Sequence, residues 1–168
     1  MEDALSAQPV GRPGVGVELR ATPYDDPVVQ RLVAEVQEEY VRRYGGPDDT
    51  PMRAEDWVRP EGLFLVAWLD GLPVGCGGWR RIPGRDAVEV KRMYVVPAAR
   101  GRGAARALLA ELERTAAEAG AAEVLLETGI EQPEAMALYA SAGYDPVVGF
   151  GHYAGRPKSR AFGKSLPS

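Results

Sequence analysis

The chain has 168 residues, 45% of them hydrophobic and 26% charged, with a formal net charge of −4 at pH 7. That length makes one domain the default, and mild acidity argues against nucleic acid as a partner, since nucleic-acid binders are normally basic. A lone Cys76 and a lone His152 exclude an intramolecular disulfide and a Cys- or His-based metal site. No apolar run approaches membrane-spanning length, and Glu2 and Asp3 are wrong for a secretory n-region, so the expectation is a cytoplasmic protein with no membrane partner.

Residues 1–14 lack periodicity and read as a mobile tail, which leaves 15–168 as the single domain. Residues 15–20 alternate as a strand should. Pro27 can start a helix whose apolar positions (Val29, Leu32, Val33, Val36, Tyr40, Tyr44) fall three or four apart, and Gly45-Gly46-Pro47 stops it. A short helix is expected over 54–58. Residues 63–69 and 74–82 are strand-like runs around the turn Asp70-Gly71-Leu72-Pro73, a hairpin pattern. A second turn at Pro83-Gly84-Arg85-Asp86 leads to a strand over 87–95. The next helix carries Ala105, Leu108, Leu109, Leu112 and Ala116 on one stripe and ends at Gly120. A strand over 123–127, a helix entered at Pro133 and capped at Gly143, and strands near 144–148 and 159–166 complete the pattern. The fold class is α+β, with a mixed and mostly antiparallel sheet flanked by about four helices.

Between the run Met93-Tyr94-Val95-Val96 and the leucine-striped helix lies Arg100-Gly101-Arg102-Gly103-Ala104-Ala105-Arg106. Glycines there let the backbone approach a ligand closely, and the first helical turn offers free N–H donors at the positive end of its dipole. Arg100, Arg102 and Arg106 add charge of the sign a phosphate attracts. The Rossmann fingerprint fails because its third glycine would be Arg106. A P-loop fails at Gly163-Lys164-Ser165, where Lys158 occupies the first glycine position and no helix can follow.

The pattern Arg100, Gly103, Ala105, preceded by Val95 and Pro97 and followed by Leu108-Leu109, resembles the acyl-CoA-binding signature of the GNAT superfamily of N-acyltransferases. The second half of the family's pattern follows in order: Gln132-Pro133-Glu134-Ala135, Leu138-Tyr139 and Gly143-Tyr144. The family often has Asn where this chain has Gln132. The resemblance covers residues 87–166 by motif and the first half by layout. It implies a sheet whose two central strands, here residues 90–95 and 124–128, splay to admit the pantetheine arm.

From the same resemblance come the roles. The elbow from Arg100 through Gly101, Arg102, Gly103, Ala104 and Ala105 to Arg106 would hold the pyrophosphate of acetyl-CoA, the expected co-substrate, and Gln132 would also contact it. The backbone of Met93 and Val95 would face the thioester and the pantetheine arm. Tyr139 matches the family's general acid, a phenol of ordinary pKa near ~10 able to protonate the leaving thiolate; by spacing alone it would be a core tyrosine. Glu89, on the face of Met93 and Val95 by period-two alternation, matches a base position, with an ion pair to Lys91 or Arg92 as the alternative. Glu127 on the other splayed strand is a second candidate base. His152, in a glycine-flanked loop, and Cys76 are left outside the chemistry.

The expected activity is therefore direct, ternary-complex transfer of an acetyl group to a primary amine of a small molecule or protein, without a metal. The alternatives are a CoA-binding relative without turnover and an enzyme using a longer donor such as succinyl-CoA, for which Arg80, Arg81 or Arg92 could supply the cation. Glu35, Glu38, Glu39, Asp48 and Asp49 beside Tyr40, Tyr44 and Trp57 would suit a cationic acceptor, or form a solvated acidic helix face. Small acyltransferases often dimerise through strand pairing, so the resemblance also admits a homodimer.

Overall fold

The computed structural model describes residues 16–167, so the expected tail over 1–14 lies outside the described residues. Among these residues, seven strands form one sheet: β1 (Val17–Ala21), β2 (Gly62–Leu69), β3 (Leu72–Arg81), β4 (Ala87–Val95), β5 (Glu123–Gly129), β6 (Asp145–Val147) and β7 (Ser159–Ser165). The order is β1-β2-β3-β4-β5-β7-β6, with only β4 and β5 parallel. The hairpin between β2 and β3 turns on Asp70-Gly71 alone, both left-handed (φ 50° and 77°). That two-residue turn matches the strand twist, so β3 starts at Leu72 rather than beyond Pro73.

Among the described residues, three α-helices cover the sheet: α1 (Pro27–Tyr44), α2 (Ala104–Glu118) and α3 (Pro133–Ser141). The Asp26 carboxylate accepts the Val28 N–H (2.8 Å) to cap α1, and Gly45 at φ 81° closes it. The fourth expected helix is one 3₁₀ turn, Ala54–Trp57. Val58, Arg59 and Pro60 follow it, and the residue before a proline is pushed out of helical space.

Each face of the sheet has its own core. Val29, Leu32, Val33 and Val36 of α1 pack with Trp57, Phe64, Val66, Cys76 and Tyr94 on one face. Leu108, Leu109 and Leu112 of α2 pack with Val88, Val90, Val95, Val124, Leu126 and Tyr139 on the other. Trp79 is fully buried there, and its indole N–H donates to the Thr115 hydroxyl at 2.9 Å. Burying such side chains is worth roughly 1.5–3 kcal/mol each, so the two cores fix β4 and β5 firmly at their bases.

Candidate active site

β4 and β5 pair only from Ala87↔Glu123 to Val90↔Leu126. Beyond that point β4 continues to Val95 and β5 to Gly129 without a shared ladder, so the strands part. The cause on the β4 side is a bulge. Cys76 of β3 faces Tyr94 while Gly78 faces Lys91, so Arg92 and Met93 stand opposite Gly77 alone. Arg92 takes a left-handed φ of 61°, a conformation L-residues reach only at a cost of roughly 1–2 kcal/mol.

The bulge overturns the period-two expectation for Glu89. Met93 lies over Gly77 on the α2 face, where an added Cβ would sit 2.5 Å from its sulfur, and Val95 packs with Gly75 and Leu108 on that face. Glu89 lies on the α1 face, where Arg80 Nε donates to its carboxylate at 2.7 Å. It is thus paired with Arg80, neither with Lys91 nor with Arg92. The Val96 N–H donates to Val74 of β3 (2.8 Å), so by alternation the main-chain groups of Met93 and Val95 turn toward the gap. The Val95 carbonyl there accepts from Arg100 Nε at 2.9 Å.

A cavity of about 340 Å³ occupies the gap. Its walls include Val90, Met93, Thr128, Gly129, Gln132 and Tyr139 toward the α2 side. Toward the α1 side they include Tyr40, Asp48, Lys91, Arg92, Glu127 and Tyr153, and Arg156 and Lys158 line it as well. Glu127 lines the cavity and Glu89 does not. Burial pushes the Glu127 carboxyl above its ordinary range, and the charge of Glu89 adds to this, against opposing pulls from the Tyr153 and Gly151 main chain and from Lys91. Its buried Oε2 has no hydrogen-bond partner among the described residues. Gly151 lies close beside it: a Cβ there would fall 2.2 Å from Oε1, so any larger residue would displace the carboxylate.

Tyr139 packs its ring against Tyr144 and Phe162, with centroids at 5.8 and 6.2 Å. Burial pushes its phenol up to about 12, so it stays protonated at neutral pH. Its hydroxyl makes no hydrogen bond among the described residues, although the residue lines the cavity. The Gln132 carbonyl oxygen accepts from the Tyr44 hydroxyl (3.1 Å) and the Thr128 hydroxyl (3.3 Å). Tyr44 crosses so close to Gly129 that a Cβ would fall 1.9 Å from its hydroxyl oxygen.

The elbow lies just past the end of β4. Gly101 and Gly103 are left-handed (φ 81° and 88°), and Gly103 caps α2 without a side chain. Among the described residues, no acceptor takes the backbone N–H groups of 101–106. That is a row of donors at a helix start, suited to phosphate oxygens. Arg102 and Arg106 flank it, the one near Asp70 (3.4 Å) and the other donating to the Ser141 hydroxyl (2.9 Å). Arg100, an exposed side chain, donates to the Val95 carbonyl and pairs with Glu39 at 3.0 Å.

Three of the acidic residues expected to face the acceptor, Asp48, Asp49 and Glu39, are paired. Asp48 is held by Lys91 (2.9 Å) and by Arg92, and those cations keep its carboxyl well below the usual range despite burial. Asp49 accepts from the Tyr153 hydroxyl and contacts His152 Nε2, each at 2.8 Å. Glu39 pairs with Arg43 and Arg100. The expectation of an open acidic face for a cationic acceptor therefore fails at these three positions. His152, left outside the chemistry by sequence, helps tie the loop over 46–50 to the loop over 149–158. Of the arginines considered for a succinyl donor, only Arg92 lines the cavity; Arg80 pairs with Asp56 and Glu89, and Arg81 donates to the carbonyls of Pro60 and Ala119.

The acetyltransferase (GNAT) family pattern matches residues 30–144. An IAA acetyltransferase of Azospirillum brasilense is 36% identical over 88% of this chain and 95% of its own length. A solved Klebsiella pneumoniae structure, proposed to be an acyl-CoA N-acyltransferase, superposes with a TM-score of 0.77 at 27% identity, covering 91% of this chain and 99% of that one. The PaiA N-acetyltransferase of Thermoplasma acidophilum, solved in complex with coenzyme A, shares the fold at a TM-score of 0.65 and 18% identity, over 89% of this chain and 99% of its own. No helix among the described residues is long and apolar enough to cross a membrane. The parted strands, the donor-lined elbow and the matched sequence lead to one assignment: the chain belongs to the GNAT family of acetyltransferases.

Proposed function

We infer that this chain moves the acetyl group of acetyl-CoA directly to a primary amine, with both substrates bound and no covalent enzyme intermediate. The observation that carries the reading is the gap after Val90 and Leu126, with unbonded N–H donors at 101–106 just outside it and Tyr139 and Glu127 on its two sides. Acetyl-CoA supplies the activated acyl group, and the unbonded donors with Arg102 and Arg106 hold its pyrophosphate. The main-chain groups of Met93 and Val95, turned to the gap, line the path of the pantetheine arm, and the Met93 N–H polarises the thioester carbonyl. Gln132, held by Tyr44 and Thr128, forms the far wall of that path.

An alkyl amine is protonated in neutral water and must lose a proton before it attacks. Glu127 takes that proton: it lines the cavity, and its raised proton affinity brings it closer to the working pH than an ordinary carboxylate. Glu89, proposed as the base by sequence, acts instead through charge, raising the affinity of Glu127 from its place beside Arg80. Tyr139 gives its phenolic proton to the departing thiolate, a role its protonated state at neutral pH allows. The reaction belongs in the cytoplasm, where acyl-CoA thioesters are made.

The test is calorimetric titration with acetyl-CoA, followed by release of free CoA in the presence of an amine panel. Micromolar binding and amine-dependent release are expected, both lost or weakened when Gly103 is replaced by a bulky residue. Absence of CoA binding would sink the reading; binding without turnover of any amine would leave a CoA-binding relative of the family.

A further inference from the structure

Resting on that reading, we propose that the acceptor carries its own anionic group, as an amino acid does, and that Arg156, Lys158 and Arg92 recognise it. Four cations and three carboxylates line the cavity (Lys91, Arg92, Arg156, Lys158 against Asp48, Asp49, Glu127). Asp48 is consumed by Lys91 and Arg92, and Asp49 by His152 and Tyr153. Arg156 and Lys158 have no carboxylate partner among the described residues; Arg156 stacks over the Tyr153 ring at 5.1 Å. Two exposed cations without carboxylate partners therefore line the cavity, where a polyamine would meet repulsion.

Two side chains that line the same cavity, Arg92 and Glu127, point to the same kind of molecule. Arg92 is 4% exposed, and its Nε–H has no acceptor among the described residues. Glu127 Oε2 has no donor. Arg92 and Glu127 both line the cavity, one cationic and one acidic, so a ligand carrying an oxyanion and an ammonium group matches the pair. The amine meets Glu127 and the anion meets the Arg156–Lys158 side. The anion is a carboxylate or a phosphonate, which offer the same oxygens to arginine and lysine.

The experiment compares L-methionine, L-methioninamide and 3-(methylthio)propylamine, within a panel of amino acids, with 2-aminoethylphosphonate and spermidine as further arms. Free-CoA release is measured at saturating acetyl-CoA, and melting shifts with each acceptor are measured in the presence of CoA. An acid in the panel is expected to exceed its amide and its decarboxylated amine by about tenfold or more in kcat/KM. The double variant Arg156→Gln, Lys158→Gln is expected to raise KM for that acid about tenfold while KM for acetyl-CoA stays within about twofold. The phosphonate arm tells which oxyanion is preferred. Equal rates with acid and amine, preference for spermidine, or an unchanged KM in the double variant would overturn the proposal. So would a preference for succinyl-CoA over acetyl-CoA, which would put the anion on the donor. If acetyl-CoA binds but no anionic amine is bound or turned over, this proposal falls and the acyltransferase reading stands. If acetyl-CoA does not bind, the reading beneath it falls too.

Discussion

The elbow over 101–106 and the wall made by residues 46–50 with 149–158 both serve the gap between β4 and β5, yet they are built from different materials. The elbow is backbone: two left-handed glycines, a bare helix start and a row of N–H groups without acceptors. The wall is side chains: Asp48 held between Lys91 and Arg92, Asp49 between His152 and Tyr153, and Gln37 fixing the Asp48 main chain at 2.8 and 3.0 Å. A backbone site can serve one shared ligand across many sequences, because it depends on conformation and little on residue identity. A side-chain site changes with each substitution, so it is the half of the molecule where acceptor preference resides.

The sharpest way to break the contrast is Tyr139→Phe. The ring packing against Tyr144 and Phe162 survives and no hydrogen bond is lost, so the melting temperature should hold while kcat falls about 10²–10⁴-fold, read by CoA release. Unchanged kcat would remove Tyr139 from the chemistry. Asp48→Asn attacks the wall itself. It strips the shared carboxylate from two buried cations, an effect of about 3–5 kcal/mol in stability by denaturant titration. Because the Asp48 carboxyl is depressed in the fold, its contribution is present above its unfolded value of 3.8 and lost as pH falls below it; the variant should lose that acid-side dependence.

Glu127→Gln separates catalysis from structure on the same wall. A raised carboxyl costs the fold stability above its folded pKa and is relieved as pH falls toward 4.5, so the glutamine variant should be no less stable at neutral pH. Its rate should drop about 10²-fold or more, and the acid limb of the kcat profile should flatten. If the limb stays, another group is the base. The smallest effect belongs to the elbow: Gly103→Ala places a Cβ at φ 88° in open space, so only backbone strain of about 1–2 kcal/mol opposes it. That predicts weaker acetyl-CoA binding by calorimetry and an unchanged KM for the acceptor.

The same division decides what could be read without a structure. The stripe Val29, Leu32, Val33, Val36, the start at Pro27 and the glycine stop at Gly45 gave α1 its full span, because periodicity and caps are local signals. The elbow was legible for the same reason. The bulge was not: it sits at Arg92, a residue type with no preference for positive φ, and it moved Glu89 to the opposite face from Met93. Nor was the wall. Asp48 meets Arg92 across 44 residues, and Asp49 meets Tyr153 across 104, separations that leave no trace in spacing. Glu127, named second by sequence, lines the cavity because β5 runs past its last pairing with β4 and turns that side chain toward the loop at Gly151.

Cys76 lies at the centre of β3, wholly buried, with its thiol donating to the Arg92 carbonyl at 3.3 Å and its acidity pushed back to about 12. A thiolate is the reactive species, so electrophiles and oxidants should pass the native protein by. Once the sheet opens, the sulfur becomes an ordinary thiol. The rate at which a disulfide dye labels this one atom under native conditions therefore clocks how often the middle of the sheet comes apart, a stopwatch wired into the molecule.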